Sequence, residues 1–196
     1  MYPPVLREMP AGNNQRGADN AAGNIHRVGA RLRDAAWMLR KFVCYGAIRM
    51  KLAWILWLAS AFHNAASDRT CLAATVYLEA RGEPVTGQMA VAEVGLRRRD
   101  SGQWGSSLCH VLRARGQFAL STTSKNYVFD DADAWNQAWF VAGVALDVWK
   151  LPAAWRPSLV PNADHFYAAD VMTLPPGWAK GPPLAVIGDH RFYHAD

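Results

Sequence analysis

Glu79 is the first residue whose setting suggests proton transfer. It lies near the end of Thr70–Arg81 (TCLAATVYLEAR), a pattern that predicts a helix. At about 100° per residue, Glu79 sits about 20° around that helix from Leu72 and about 60° from Val76. Its carboxyl is therefore at the edge of an apolar stripe, while Arg81 points to the opposite side. Burial beside apolar groups disfavours the carboxylate and keeps the acid protonated to higher pH. A general acid that protonates a glycosidic oxygen needs that property. On periodicity alone, a solvated surface glutamate is the commoner case.

The elements around Glu79 must hold it in place. Gly82-Glu83-Pro84 ends the first helix, because Pro84 has no N–H to donate and disfavours helix at Glu83. A second helix is expected from about Thr86 to Arg99, with arginines at its C-terminal end. The tight turn between the two helices fixes the rim beside Glu79. Glu83 and Arg81 are assigned structural roles there, Glu83 bonding backbone or Arg81. A third helix over 133–150 carries Trp135, Trp139, Ala142, Leu146 and Trp149 at spacings of four, three, four and three. That stripe reads as core, and Asp130, Asp131 and Asp133 before it read as N-capping residues. Beyond Pro152 the chain turns proline-rich. Residues 162–167 and 184–193 are expected strands, the second broken at Gly188-Asp189, and Trp178 is a candidate groove residue on a loop. The fold class is α+β, mostly helical, with a small β-hairpin or sheet lobe.

Charge narrows the partner. The chain has 196 residues and a formal net charge of +5. Residues 1–51 carry nine Lys/Arg against three Asp/Glu, and residues 52–196 carry twelve against thirteen. The basic excess belongs to the leader, so a nucleic-acid substrate for the folded domain loses its support. Residues 1–49 read as a disordered or non-native basic extension. Leu52–Phe62 (LAWILWLASAF) is an apolar run too short to span a bilayer, which takes about 20 residues. With Met50-Lys51 before it and Ala59-Ser60-Ala61 as a small-x-small site, residues 50–66 are expected to be a signal peptide or signal anchor. A buried amphipathic helix is the alternative. Residues 67–196 then form the catalytic domain.

The motifs become specific when taken in order. Tyr77-Leu78-Glu79-Ala80-Arg81-Gly82-Glu83-Pro84 is followed by Gly87-Gln88-Met89-Ala90-Val91-Ala92. Gly116-Gln117-Phe118, Ala163-Asp164-His165-Phe166-Tyr167 and Ile187-Gly188-Asp189-His190-Arg191-Phe192-Tyr193 come later. Over residues 71–193 this series resembles the SleB-type cell-wall hydrolases, the spore-cortex-lytic enzymes and their relatives. The resemblance implies a lysozyme-like fold with Glu79 as the catalytic acid. It implies peptidoglycan glycan strands as substrate, cut between N-acetylmuramic acid and N-acetylglucosamine by a one-glutamate lytic transglycosylase mechanism. Gln117, Phe118, Tyr167 and His190 are the expected substrate-binding residues, although core packing is an equal reading for Phe118 and Tyr167. Exported relatives resemble this chain in having cysteines where Cys71 and Cys109 stand, which implies a disulfide between them. The chain departs from the family at Arg97, where an asparagine precedes the arginine, at Val85 and at Ala119. These differences bear on substrate preference.

An exported protein of the periplasm, cell envelope or extracellular space follows, with membrane contact through residues 50–66. Plain muramidase hydrolysis and a non-catalytic wall-binding module are the alternatives. No cofactor or metal is expected. Asp164, His165, Asp189, His190 and His194 could in principle ligate zinc, but they fall in a strand-like segment and no HExxH helix is present. Activity should accordingly survive dialysis against a strong chelator. Loss of activity on chelation, restored by zinc, would reverse that expectation.

Overall fold

The computed structural model describes residues 50–61, 65–172 and 174–195. The expectation for residues 1–49 lies outside these. A short strand β1 (Met50–Lys51) leads into helix α1 (Leu52–Ala61). Helices α2 (Ala65–Ala80) and α3 (Val85–Ser101) follow, then the short helices α4 (Leu108–Arg113) and α5 (Ala119–Thr122). Strand β2 (Val128–Phe129) pairs antiparallel with β1, and the long helix α6 (Ala132–Trp149) comes next. A 3₁₀ turn (Ala153–Trp155) precedes β3 (His165–Ala168), β4 (Ala185–Ile187) and β5 (His190–Tyr193). These last strands form an antiparallel sheet in the order β3-β5-β4.

Helix α2 is the axis of the core. Cys71 through Tyr77 are all buried, which only Ala, Cys, Thr and apolar side chains in every direction allow. Thr75 satisfies its hydroxyl by bonding the Cys71 carbonyl at 3.0 Å. The helix begins at Ala65, five residues before the Thr70 start read from periodicity. Arg69 explains the extension: its guanidinium donates to the Trp139 carbonyl and lies 4.5 Å from the Trp139 ring. Tertiary contact with α6 thus fixes a turn whose own sequence is ambiguous.

Helix α3 starts after Pro84 and stops at Gly102, whose φ of +71° closes the helix in a left-handed cap. Helix α6 begins at its Asp131 cap, whose side chain accepts from the Ala134 N–H at 2.9 Å. The tryptophan stripe on α6 is core. Trp135 packs on Phe129 and Tyr77, and Trp149 is buried.

Residues 50–61 pack onto the domain. Leu52, Ile55 and Ala59 are buried in the same core as α2, and the Leu52 and Ala53 N–H groups donate to Tyr127 and Lys125. The boundary expected between residues 66 and 67 falls inside α2.

Cys71 and Cys109 are bonded, joining α2 to α4 across a sequence separation of 38. Closing a loop of that length is worth about 3–4 kcal/mol in the chain-entropy model. Replacing both cysteines by alanine should lower the melting temperature by about 10 °C, measured by calorimetry under non-reducing conditions. An unchanged midpoint would mean the bridge contributes nothing.

Candidate active site

Glu79 occupies the last turn of α2 and is half-buried. Its Oε1 accepts the backbone N–H of Ala119 at 2.5 Å. That donor is free because Ala119 is the first residue of α5, where no helical carbonyl precedes it. Burial raises the Glu79 carboxyl above its ordinary range. The Ala119 bond and the charge of Arg98 oppose that rise without cancelling it. With Oε1 held by Ala119, Oε2 is the oxygen left to carry a proton.

Arg98, which the sequence marks only as part of a basic helix end, braces the loop that supplies the Ala119 N–H. It is 4 % exposed near the end of α3. Its guanidinium donates to the Gln117 side-chain oxygen at 3.0 Å and to the Asp164 carbonyl at 2.5 Å. Its plane lies between two rings, 4.8 Å from Phe118 and 5.1 Å from Trp104. Burial pushes its pKa down to about 10, against the pull of Asp164 and Glu79, so it stays charged at neutral pH. The RRR run could have flagged it, but there the sequence predicts only a favourable helix end. Which arginine turns inward depends on the sheet. Arg97, one residue earlier, takes the Ala163 carbonyl and pairs with Glu93.

Glu83 and His190 make the other brace. Both Glu83 oxygens accept from the Asp189 N–H, at 3.2 and 3.3 Å, and Oε1 lies 3.3 Å from the His190 Nδ1. The carboxylate enters the β4–β5 turn because residue 188 is glycine. Its φ is +58°, and a Cβ there would overlap Glu83. Glu83 therefore bonds backbone, one of its two expected partners. Arg81 bonds the Tyr127 hydroxyl instead, at 2.5 Å. His190 is buried, which lowers its pKa against the opposing charges of Glu83, Asp170 and Asp189.

The structure gathers some of the expected binding residues and separates one. Gln117 and Phe118 adjoin Ala119, and Phe118 packs on Phe166 at 6.1 Å. Phe166 in turn meets His190 at 5.2 Å. Tyr167 alternates to the opposite face of the sheet, where it packs with Tyr193 and Trp178. Phe166 is thus the β3 ring on the Phe118 side. Trp178 belongs to the Tyr167 cluster.

The residues named as possible zinc ligands divide into two groups. His165 and His194 each place Nδ1 2.7 Å from an Asp164 oxygen, while Asp189 and His190 lie at the Glu83 end. Among the described residues no group of three His, Cys, Asp or Glu side chains converges on a metal position. A cavity of about 390 Å³ lies beside Trp104 and Asp164, and a second of about 230 Å³ beside Trp149. Glu79 lines neither.

Replacing Arg98 by methionine should raise the Glu79 pKa further, read by ¹³C carboxyl titration, because the nearby positive charge is lost. The protein should also lose about 2–3 kcal/mol of stability from the missing charged hydrogen bonds. A Glu79 titration that moved down would contradict the charge contact.

The comparisons with known proteins agree with this architecture. Residues 82–193, 112 of 196, match the family model described as Cell Wall Hydrolase. The matched stretch begins three residues after Glu79. Among solved structures, the catalytic domain of the germination-specific lytic transglycosylase SleB from Bacillus anthracis is similar, with a TM-score of 0.52 and 26 % identity. That match covers 66 % of this chain and 96 % of the other. The catalytic domain of the Bacillus cereus SleB protein also matches, at a TM-score of 0.52 and 26 % identity, covering 65 % and 90 %. A search of curated proteins finds no match. The α+β fold is that of the SleB catalytic domain, lysozyme-like, and the chain belongs to the cell wall hydrolase family.

Proposed function

We propose that this cell-wall hydrolase cleaves peptidoglycan glycan strands by lytic transglycosylation, with Glu79 as its acid and base. One observation carries the reading. The Glu79 carboxyl is desolvated, so it stays protonated to higher pH, and one of its oxygens is pinned by the Ala119 N–H. The protonated Oε2 donates to the oxygen joining N-acetylmuramic acid to N-acetylglucosamine, and that C–O bond breaks. The resulting carboxylate takes the proton of the muramic acid's own C6 hydroxyl as its oxygen attacks C1. The products are a shortened strand and a 1,6-anhydromuramic end, with no water consumed. The cycle returns Glu79 to its acid form and requires no second carboxylate.

Gln117 is the proposed substrate contact among the expected residues, since Phe118 and His190 are buried and serve the packing around it. A side-chain amide suits amido sugars, which offer acetamido groups. Tyr167 would join it only where a strand reaches the other face of the sheet. Glu83 and Arg81 hold the rim. Action on the wall implies export, and we infer that residues 50–66 take the chain to the membrane or hold it there.

Glu79→Gln keeps the shape and removes the proton. Release of muropeptides from purified peptidoglycan should fall about 10²–10⁴-fold. In the wild type, activity should decline on the alkaline side only above the usual carboxyl range, because burial raises this group's pKa. Ionising a buried carboxyl costs the folded state as pH rises through its raised pKa, so Glu79→Gln should be at least as stable as wild type at pH 8. Mass analysis of the products decides the reaction, since the anhydro end is one water lighter than a hydrolysed one. Wild-type rates in the variant would remove Glu79 from the mechanism, and reducing ends alone would replace transglycosylation by hydrolysis.

A further inference from the structure

Helix α1 presents two different faces. Its inner face is core: Leu52 is fully buried, Ile55 is 1 % exposed and Ala59 4 %. The strand pair of β1 with β2 ties down its start. Cutting the chain after Ala61 would strip that cover from the core and unpair Val128 and Phe129. The outer face carries Trp54 and Trp57, each 61 % exposed, with ring centroids 6.4 Å apart. Their neighbours on that side, Ala53, Ser60 and Ala61, are small and exposed, so the two rings stand above the surface.

From this geometry we propose that α1 is a retained, surface-lying anchor that docks the domain on an anionic phospholipid bilayer through Trp54 and Trp57. Ten residues of helix reach about 15 Å, half of a hydrocarbon core. Among the described residues no helix is long and apolar enough to cross a membrane. Lying in the interface needs no such length: it requires an apolar face, tryptophans at headgroup depth and basic residues around them. Exposed Lys51 immediately precedes the helix, and exposed Lys125 sits in the segment bonded to its first turn. Arg40, Lys41 and Arg49 come just before it in sequence, within a stretch of net charge +6. The remaining 145 residues are close to neutral, so attraction to anionic headgroups concentrates at this end of the chain. The inference rests on reading residues 50–66 as membrane-directed and is independent of the chemistry at Glu79.

The test is co-sedimentation of the full chain with vesicles of phosphatidylethanolamine and phosphatidylglycerol, and with vesicles of phosphatidylcholine alone. Binding is expected to the anionic vesicles only. Trp54→Ser with Trp57→Ser should weaken it at least tenfold. Thermal unfolding and activity on purified peptidoglycan should stay unchanged, because neither ring touches the core or the site. Glu79→Gln should bind like wild type, which separates this proposal from the catalytic one. Equal binding by the double variant would assign the contact to the basic leader alone and overturn the proposal. So would failure of the wild type to bind, or a mature chain whose intact mass begins after Ala61.

Discussion

The Ala119 N–H meets the Glu79 carboxyl at 2.5 Å, and the bond joins the end of one helix to the start of another. An acid at the open end of a helix would ordinarily be hydrated and ionised. Here the buried body of α2 brings the side chain inward, and a short loop closes over one of its oxygens. Desolvation outweighs the donor and the Arg98 charge, so the group remains a better proton holder than a free carboxyl. Displacing the loop from the helix end would return this carboxyl to water.

Two braces keep that loop and its surroundings fixed. Arg98 ties Gln117 to the Asp164 backbone and fills the gap between Phe118 and Trp104. Glu83 ties the α2–α3 turn to the β4–β5 turn through the Asp189 N–H. Each is a charged group using its charge on backbone, where the bonds are stronger than neutral ones and the geometry is set by the fold. The sheet thus takes part in the site without supplying an acid, since Arg98 holds the backbone just before β3 and Glu83 holds the β4–β5 turn. The Cys71–Cys109 bridge ties the N-terminal half of α2 to α4, away from the turn that carries Glu79.

Helix α1 buries one side in the core and leaves two tryptophans outside. Residues that satisfy the apolar requirement of an export segment also satisfy that of a core-covering helix, because both need Leu, Ile and Ala in a row. Hydropathy cannot separate the two. Burial of Leu52, Ile55 and Ala59 against α2, with Trp54 and Trp57 left outside, is information that only packing contains.

Sequence alone determined the helix that carries Glu79, the break at Gly82-Glu83-Pro84, a helix start capped from among Asp130, Asp131 and Asp133, the core role of the tryptophan stripe and the interruption of the last strand at Gly188. These are local matters, set by periodicity, by proline's missing donor and by glycine's access to positive φ. The ordered motifs also identified the family. Tertiary structure decided which arginine of Arg97-Arg98-Arg99 braces the Gln117 loop, that Phe166 and not Tyr167 faces Phe118, that Arg81 bonds Tyr127 and not Glu83, and that α2 starts at Ala65. Each of these depends on a partner distant in the chain. A side chain's direction on a strand or a helix end is fixed by what packs against it, and residue spacing does not encode that.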